Sequence, residues 1–427
     1  MKTNEIDTLF HKLVDTYEDQ IFTPHYTVQL YRCANLSSPE NSDFSDCRQK
    51  RSSSLTSILY CYDKSMYIFV VVSVLVLLVV GYRKYKPLGG VSDANRWHAS
   101  KNYKNSVFVN QIPTSMAMSL KDIYSIIRER LRGGTFRQPK NPVKGKTADL
   151  KIFMETTEPQ IMWLGHSTVL IKINGITILT DPMFSDRASP FTFIGPKRTV
   201  SELSLQIDQL PPIDIALISH DHYDHLDYAS IRMLASKVKK FFVPLGVAAH
   251  LRRWGITDEN IEELDWWESA KYEEMQIMCT PSRHFSGRRL NDRFKTLWCS
   301  WAIDSPIAKL YFSGDSGYGP HFKEIGQKHG PFDLTLMECG QYDSRWPNVH
   351  MTPEDTVRAH QDLRGKKLLP IHWGAFVLAL HDWRDSARRV VKEAKKVNAV
   401  VLTPEIGEVI AIKRAVSKAD KWWDKLN

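Results

Sequence analysis

Residues Ile218–Asp227 read ISHDHYDHLD, three histidines and three aspartates within ten positions, directly after the apolar residues Ile215–Leu217. Few features restrict a chain more, because so many ligand-type side chains gathered behind a buried strand point to a metal centre. In an extended loop, residues two apart point the same way. His220 and His222 can therefore grip one ion, and Asp224 and His225, just beyond, can serve a second. Imidazole with carboxylate suits Zn²⁺ and is compatible with Fe or Mn. The plainer alternative is a solvated polar turn.

A metal centre needs further donors at other strand ends, and the sequence supplies them. From Pro159 onward the chain reads as short strands. IMWLG, TVLIKI and ITILT come first, the last two joined by an Asn174-Gly175 hairpin, and IALIS (Ile215–Ser219) follows. Further strands are predicted over Lys240–Val243, Met275–Cys279, Thr296–Ile303, Lys309–Phe312, Asp333–Met337, Lys367–Ile371 and Ala399–Leu402. Helices are predicted over Tyr228–Val238, Pro353–Leu363 and Trp383–Lys396. Strands followed by helices, with hairpins in the first part, predict two sheets with helices packed outside. His284, Asp315 and His372 each follow one of these strands. A lone histidine is more often a core or surface residue than a ligand. Three residues in the same relation to their strands reverse that expectation, because ligands in open α/β layouts gather beyond the carboxyl ends of strands.

The first part of the chain has another character. Residues 1–65 lack a clear period and contain the polar stretch Asn35–Asp46, so a poorly ordered extension is expected. Met66–Gly81 (MYIFVVVSVLVLLVVG) carries no charge and is flanked by Lys64 and by Arg83, Lys84 and Lys86. It is read as a minimal transmembrane helix over 66–82, against the alternative of a buried Val-rich core element. Residues 83–160 hold 15 Lys/Arg against 6 Asp/Glu. This basic excess favours a single-pass membrane protein with its C-terminal part in the cytoplasm and would attract anionic lipid. The juxtamembrane segment 83–150 includes one amphipathic helix, Leu120–Leu131, stopped by Gly133-Gly134, and the folded domain with the donor cluster is expected over 151–427. Cys279, Cys299 and Cys339 read as free thiols, while the state of Cys33, Cys47 and Cys61 stays open. The basic charge alone would permit nucleic acid, but no aromatic-basic binding module accompanies it, and no nucleic-acid partner is expected.

The order HxHxDH, then separate His, Asp and His, resembles the metallo-β-lactamase superfamily, an αββα sandwich with metals at one edge. MWLGHSTVLI, LTDPMFSDRASP, IGPKR, LPPIDIALISHDHYDHLDY, VPLG, ELDWWE, TPSRH, GDSGY, FKEIG, GPFDL and IHWGAF resemble, in that order, the N-acylphosphatidylethanolamine-hydrolysing phospholipase D family, from about Ile161 to Phe376. The resemblance implies two zinc ions. His220, His222 and His284 would hold the first, Asp224, His225 and His372 the second, and Asp315 would bridge them. Asp181 would steady a ligand histidine from behind. Tyr223 and His350 match positions that contact phospholipid substrate, and a structural hydrogen-bonding role is expected for His166. A homodimer is also suggested. The stretch Met337–Trp346 (MECGQYDSRW) departs from the more apolar run of the animal enzymes, which puts the lipid specificity in doubt more than the metal chemistry.

The expected reaction is hydrolysis of N-acylphosphatidylethanolamine to N-acylethanolamine and phosphatidic acid. A hydroxide bridging the two metals attacks phosphorus in line, and His350 contacts the phosphate or protonates the leaving alkoxide. Two alternatives are carried. One is another hydrolase of this fold, acting on a lactone, a thioester, or a nucleotide or RNA phosphodiester. The other is a membrane-tethered metal-binding or scaffold protein without catalysis.

Overall fold

The computed structural model describes residues 70–427 except 75, 78–79, 94–96, 98, 116–117, 135, 418–420 and 427. The N-terminal extension 1–65 and its three cysteines lie outside the described residues. The chain divides into two units, residues 1–83 and 84–427. Residues 70–74, 76–77 and 80–84 are helical, yet no helix among the described residues is long and apolar enough to cross a membrane. Residues 66–69, 75, 78 and 79 of the expected span are outside the described set.

The second unit is built on two seven-stranded sheets. Strands β1 (Gln160–Gly165), β2 (Thr168–Ile173), β3 (Ile176–Thr180), β4 (Ile213–Leu217), β5 (Val238–Pro244) and β6 (Ile261–Leu264) belong to the first sheet. Strands β7 (Ser269–Tyr272), β8 (Met275–Thr280), β9 (Ser300–Asp304), β10 (Lys309–Phe312), β11 (Leu334–Glu338), β12 (Lys367–Ile371) and β13 (Val400–Val401) form the second, and β14 (Val409–Ala411) returns to the first. The spatial orders are β6-β5-β4-β3-β2-β1-β14 and β7-β8-β9-β10-β11-β12-β13. Each sheet begins in antiparallel hairpins and then runs parallel, through β3-β4-β5-β6 in one and β10-β11-β12-β13 in the other. Asn174 and Gly175, both at positive φ, make the tight β2–β3 turn read from the sequence.

Alternation along the strands sorts the layers. Ile161, Trp163, Val169, Ile171, Ile215 and Leu217 share one core with Ile277, Trp301, Ile303, Leu336 and Leu369 of the second sheet. The intervening Met162, Leu164, Leu170, Leu179 and Ala216 face the other way. They pack on the helices that follow β4 and β5 through Ile231, Leu234, Ala248 and Leu251. In chain order the helices are α1 (Leu120–Arg132), α2 (Leu150–Glu155), α3 (Tyr228–Leu234), α4 (Ala248–Arg253), α5 (His321–His329), α6 (Pro353–Asp362) and α7 (Asp385–Lys396). The architecture is the αββα sandwich. Helix α3 ends earlier than predicted because Val238 already pairs with Ile213 as part of β5. A cluster of indoles closes one side of the core. Trp373 lies 5.4 Å from Trp163, 5.5 Å from Trp422, 5.6 Å from Trp423 and 6.4 Å from Trp383, centroid to centroid. Cys279, Cys299 and Cys339 are buried free thiols.

Candidate metal centre

The donors sit where strands end. His166 follows β1, Asp181 follows β3, His220–His225 follow β4, His284 follows β8, Asp315 follows β10 and His372 follows β12. The loop after β4 is short and bounded. Asp227 caps α3 by accepting from the Ser230 N–H, and the His225 and Leu226 N–H groups both donate to the His222 carbonyl. Four donors are therefore held in one tight turn.

The first group is His220, His222 and His284, whose ligand atoms lie within 4.8 Å of one another. His220 Nε2 is 2.8 Å from His222 Nδ1, which is 3.3 Å from His284 Nε2. The opposite nitrogens of His220 and His284 are committed elsewhere. His284 Nδ1 donates to the Val349 carbonyl at 2.8 Å. The Ser219 hydroxyl donates to Asp181 at 2.6 Å, so its oxygen is left to accept from His220 Nδ1 at 2.9 Å. These bonds leave the Nε2 lone pairs of His220 and His284 both facing the centre of the group, an arrangement that a cation relieves. Burial pushes His220 and His284 well below their ordinary pKa and His222 down to about 4, so all three are neutral, as ligands must be.

The second group joins Asp224, His225 and His372 with His166. His225 Nδ1 donates to Asp181 at 2.7 Å, which turns Nε2 inward to within 3.3 Å of Asp224 and 3.1 Å of Asp315. Burial opposes a charge on His225, but Asp315, Asp224 and Asp181 together outweigh it and hold the imidazole protonated. A bound cation would take the place of that proton. Asp315 stands between the groups, with Oδ2 3.9 Å from His220 Nε2 and 3.7 Å from His284 Nε2, and Oδ1 3.2 Å from His372 Nδ1. Its Oδ1, His225 Nε2 and His372 Nε2 are buried without a hydrogen bond. The donor set fits divalent zinc, iron or manganese. A structural hydrogen-bonding role was expected for His166, and its Nε2 lies 2.9 Å from Asp224 Oδ2, which places it beside the donors.

Around this core, Asp181 is the buried carboxylate that the sequence indicated, accepting from the Ser219 N–H, the Ser219 hydroxyl and His225. His350 Nδ1 reaches to 4.0 Å from Asp315 and 3.4 Å from Glu338. The Tyr223 hydroxyl donates to the Arg288 carbonyl at 2.6 Å, and its ring lies under the Arg288 guanidinium at 4.1 Å. Arg288 and Glu338 were not anticipated. The buried guanidinium donates to the carbonyls of Asp221, Leu226 and Pro87, bracing the donor loop from below. Glu338 is fully buried and accepts the N–H groups of Ser316 and Met351, tying together the loops that carry Asp315 and His350. Its place at the end of β11, in register with the other strand-end residues, was the signal available in the sequence.

Comparison with known proteins agrees with this geometry. Residues 177–373 match the Beta-lactamase superfamily domain. An uncharacterized protein of Mycobacterium tuberculosis is 41% identical over 76% of this chain and 87% of its own. N-acyl-phosphatidylethanolamine-hydrolyzing phospholipase D 1 of Caenorhabditis elegans is 36% identical over 54% of this chain and 68% of its own. The chain belongs to the N-acylphosphatidylethanolamine-hydrolysing phospholipase D-like family of the metallo-β-lactamase superfamily. A mitochondrial member in Saccharomyces cerevisiae is 38% identical over 51% of this chain and 48% of its own. The protein is thus a metal-dependent hydrolase of the β-lactamase superfamily.

Proposed function

We propose that the protein is a dinuclear zinc phosphodiesterase that cleaves N-acylphosphatidylethanolamine to N-acylethanolamine and phosphatidic acid. The observation that carries this reading is the pair of adjoining donor groups meeting at Asp315, in a chain whose relatives include two enzymes named for that reaction. His220, His222 and His284 would hold one ion and Asp224, His225 and His372 the other, with Asp315 shared. When bound, the ions supply Lewis acidity toward a phosphoryl oxygen and a nucleophile from water near neutral pH. The chain supplies the rest. Asp181 fixes His225 and, through Ser219, His220, so that their Nε2 atoms point inward. His350, held beside Asp315 and Glu338, is placed to bind the phosphate or to give a proton to the departing alkoxide. The apolar run Met66–Gly81 and the basic residues after it support a membrane-attached enzyme with its catalytic domain in the cytoplasm.

The deciding experiment is hydrolysis of N-acylphosphatidylethanolamine in mixed micelles, with metal analysis on the same sample. Release of N-acylethanolamine with about two ions per chain, lost in His220→Ala, supports lipid and mechanism together. The polar stretch Met337–Trp346 favours a second reading, a hydrolase of the same fold acting on another phosphodiester or a lactone. Full metal content with turnover only of those compounds would replace the first reading with the second.

A further inference from the structure

Among the described residues, helix α1 is the one long element of the second unit that buries no residue. Its N-terminus is well made, with Ser119 and Asp122 forming a reciprocal capping box. Its faces are sorted sharply. At about 100° per residue, Leu120, Ile123, Tyr124, Ile127 and Leu131 fall within one arc of about 100°. Leu120 and Leu131 are more than four-fifths exposed, and Tyr124 and Ile127 more than half. On either side of this stripe stand Lys121, Arg128 and Arg132, and Arg130, all exposed. The opposite face holds Ser125 and Glu129, and it is fastened to the domain. Arg345 donates to the Ser125 hydroxyl and to the Glu129 carboxylate, both at 3.0 Å, and Arg137 donates to the Glu129 carbonyl at 3.0 Å.

We infer that this apolar stripe is a docking face for an anionic lipid surface. Large apolar side chains flanked by long cations, with the acidic face turned away, match a helix lying in a bilayer interface. The apolar groups enter the acyl boundary while the cation stems reach back to lipid phosphates. A second copy of the chain fits the charge less well, since a two-fold contact through the stripe would bring Lys121, Arg128 and Arg132 of both copies together. The segment leading into α1 also runs along the rim of the metal centre. Asn110 brackets the backbone of His284, donating to its carbonyl and accepting from its N–H, and Arg283 donates to Thr114. Docking through α1 therefore brings that rim to the lipid. The inference concerns binding alone, so it and the proposed reaction can fail separately.

The test is hydroxyl-radical footprinting of the full chain on phosphatidylcholine vesicles with and without phosphatidylserine, read at Tyr124, Ile127 and Leu131. Oxidation of these side chains should fall several-fold on the anionic vesicles only. The protection should weaken by roughly fivefold in affinity per neutralised charge in Lys121→Gln, Arg128→Gln and Arg132→Gln. Ile123→Gln/Ile127→Gln should abolish it with an unchanged thermal midpoint, which shows the fold intact. Equal oxidation on both vesicles would overturn the inference. So would protection without lipid, which rises with protein concentration if a second copy covers the stripe and is independent of it if residues 1–69 do.

Discussion

The two sheets supply the metal centre in different ways. The first concentrates His220, His222, Asp224 and His225 in one loop after β4, locked between a strand and the capped start of α3. The second delivers His284, Asp315 and His372 one at a time from the ends of three strands. The loop donors are fixed relative to one another by local turns. The dispersed donors are fixed only by the register of β8, β10 and β12 and by the loops behind them. Damage to the first side should collapse a preformed unit, whereas damage to the second should displace single donors.

The largest effect is expected at Asp181, on which the loop side depends. Asp181→Ala strips partners from Ser219 and His225 at once. It should cost about 3–5 kcal/mol in urea unfolding of the zinc-loaded protein and leave both donor groups poorly loaded by metal analysis. Equal stability and metal content would show that the loop holds itself. On the dispersed side, a Cβ added at Gly340 would lie 2.1 Å from the His372 carbonyl oxygen. Gly340→Ala should therefore shift His372 alone and lower activity by about tenfold or more, with the His220–His222–His284 group still loaded. Loss of all metal in that variant would mean that the two sides are not separable.

A smaller loss is expected for Arg288→Met, which removes three hydrogen bonds to backbone carbonyls but keeps the bulk of the side chain. Chemical denaturation should register about 2 kcal/mol, with Arg288→Lys recovering part of it. The smallest effect separates a structural histidine from a donor. His360 on α6 is buried against Thr335, with Nδ1 2.7 Å from its hydroxyl, and burial lowers its pKa to about 4. The unfolded chain binds a proton at this residue near pH 6.5 and the folded one does not. Stability should therefore decline as pH falls from about 6.5 toward 4, by on the order of 1 kcal/mol at pH 5.5. His360→Gln should remove this share of the pH dependence, leaving that of the other buried histidines, without altering metal content, as followed by thermal melts across that range.

The same contrast explains what could be read from sequence. The loop donors are contiguous, so their chemistry was visible without a fold. His284, Asp315 and His372 became legible only through their position after apolar runs. For His166 the sequence pointed to a hydrogen-bonding role but not to its partner, because it occupies, with Ser167, the two-residue turn between β1 and β2, far in sequence from Asp224. Arg288 gave no signal, since its partners are main-chain carbonyls far away in sequence. Among the strands, β6 (IEEL) and β7 (SAKY) were missed because neither shows a run of apolar residues. Strand β14 is a three-residue edge paired to β1, formed by a long return that no local pattern announces.

The indole cluster around Trp373 has an optical consequence. Trp373 is the residue next to His372, and four further indoles crowd around it at 5.4–6.4 Å. Excitation absorbed anywhere in the cluster can migrate to the ring beside the metal donors. A closed-shell ion such as zinc would leave that emission bright, whereas an open-shell ion such as iron or manganese would quench it. The emission of this cluster would thus distinguish the two kinds of ion during metal loading, without any added dye.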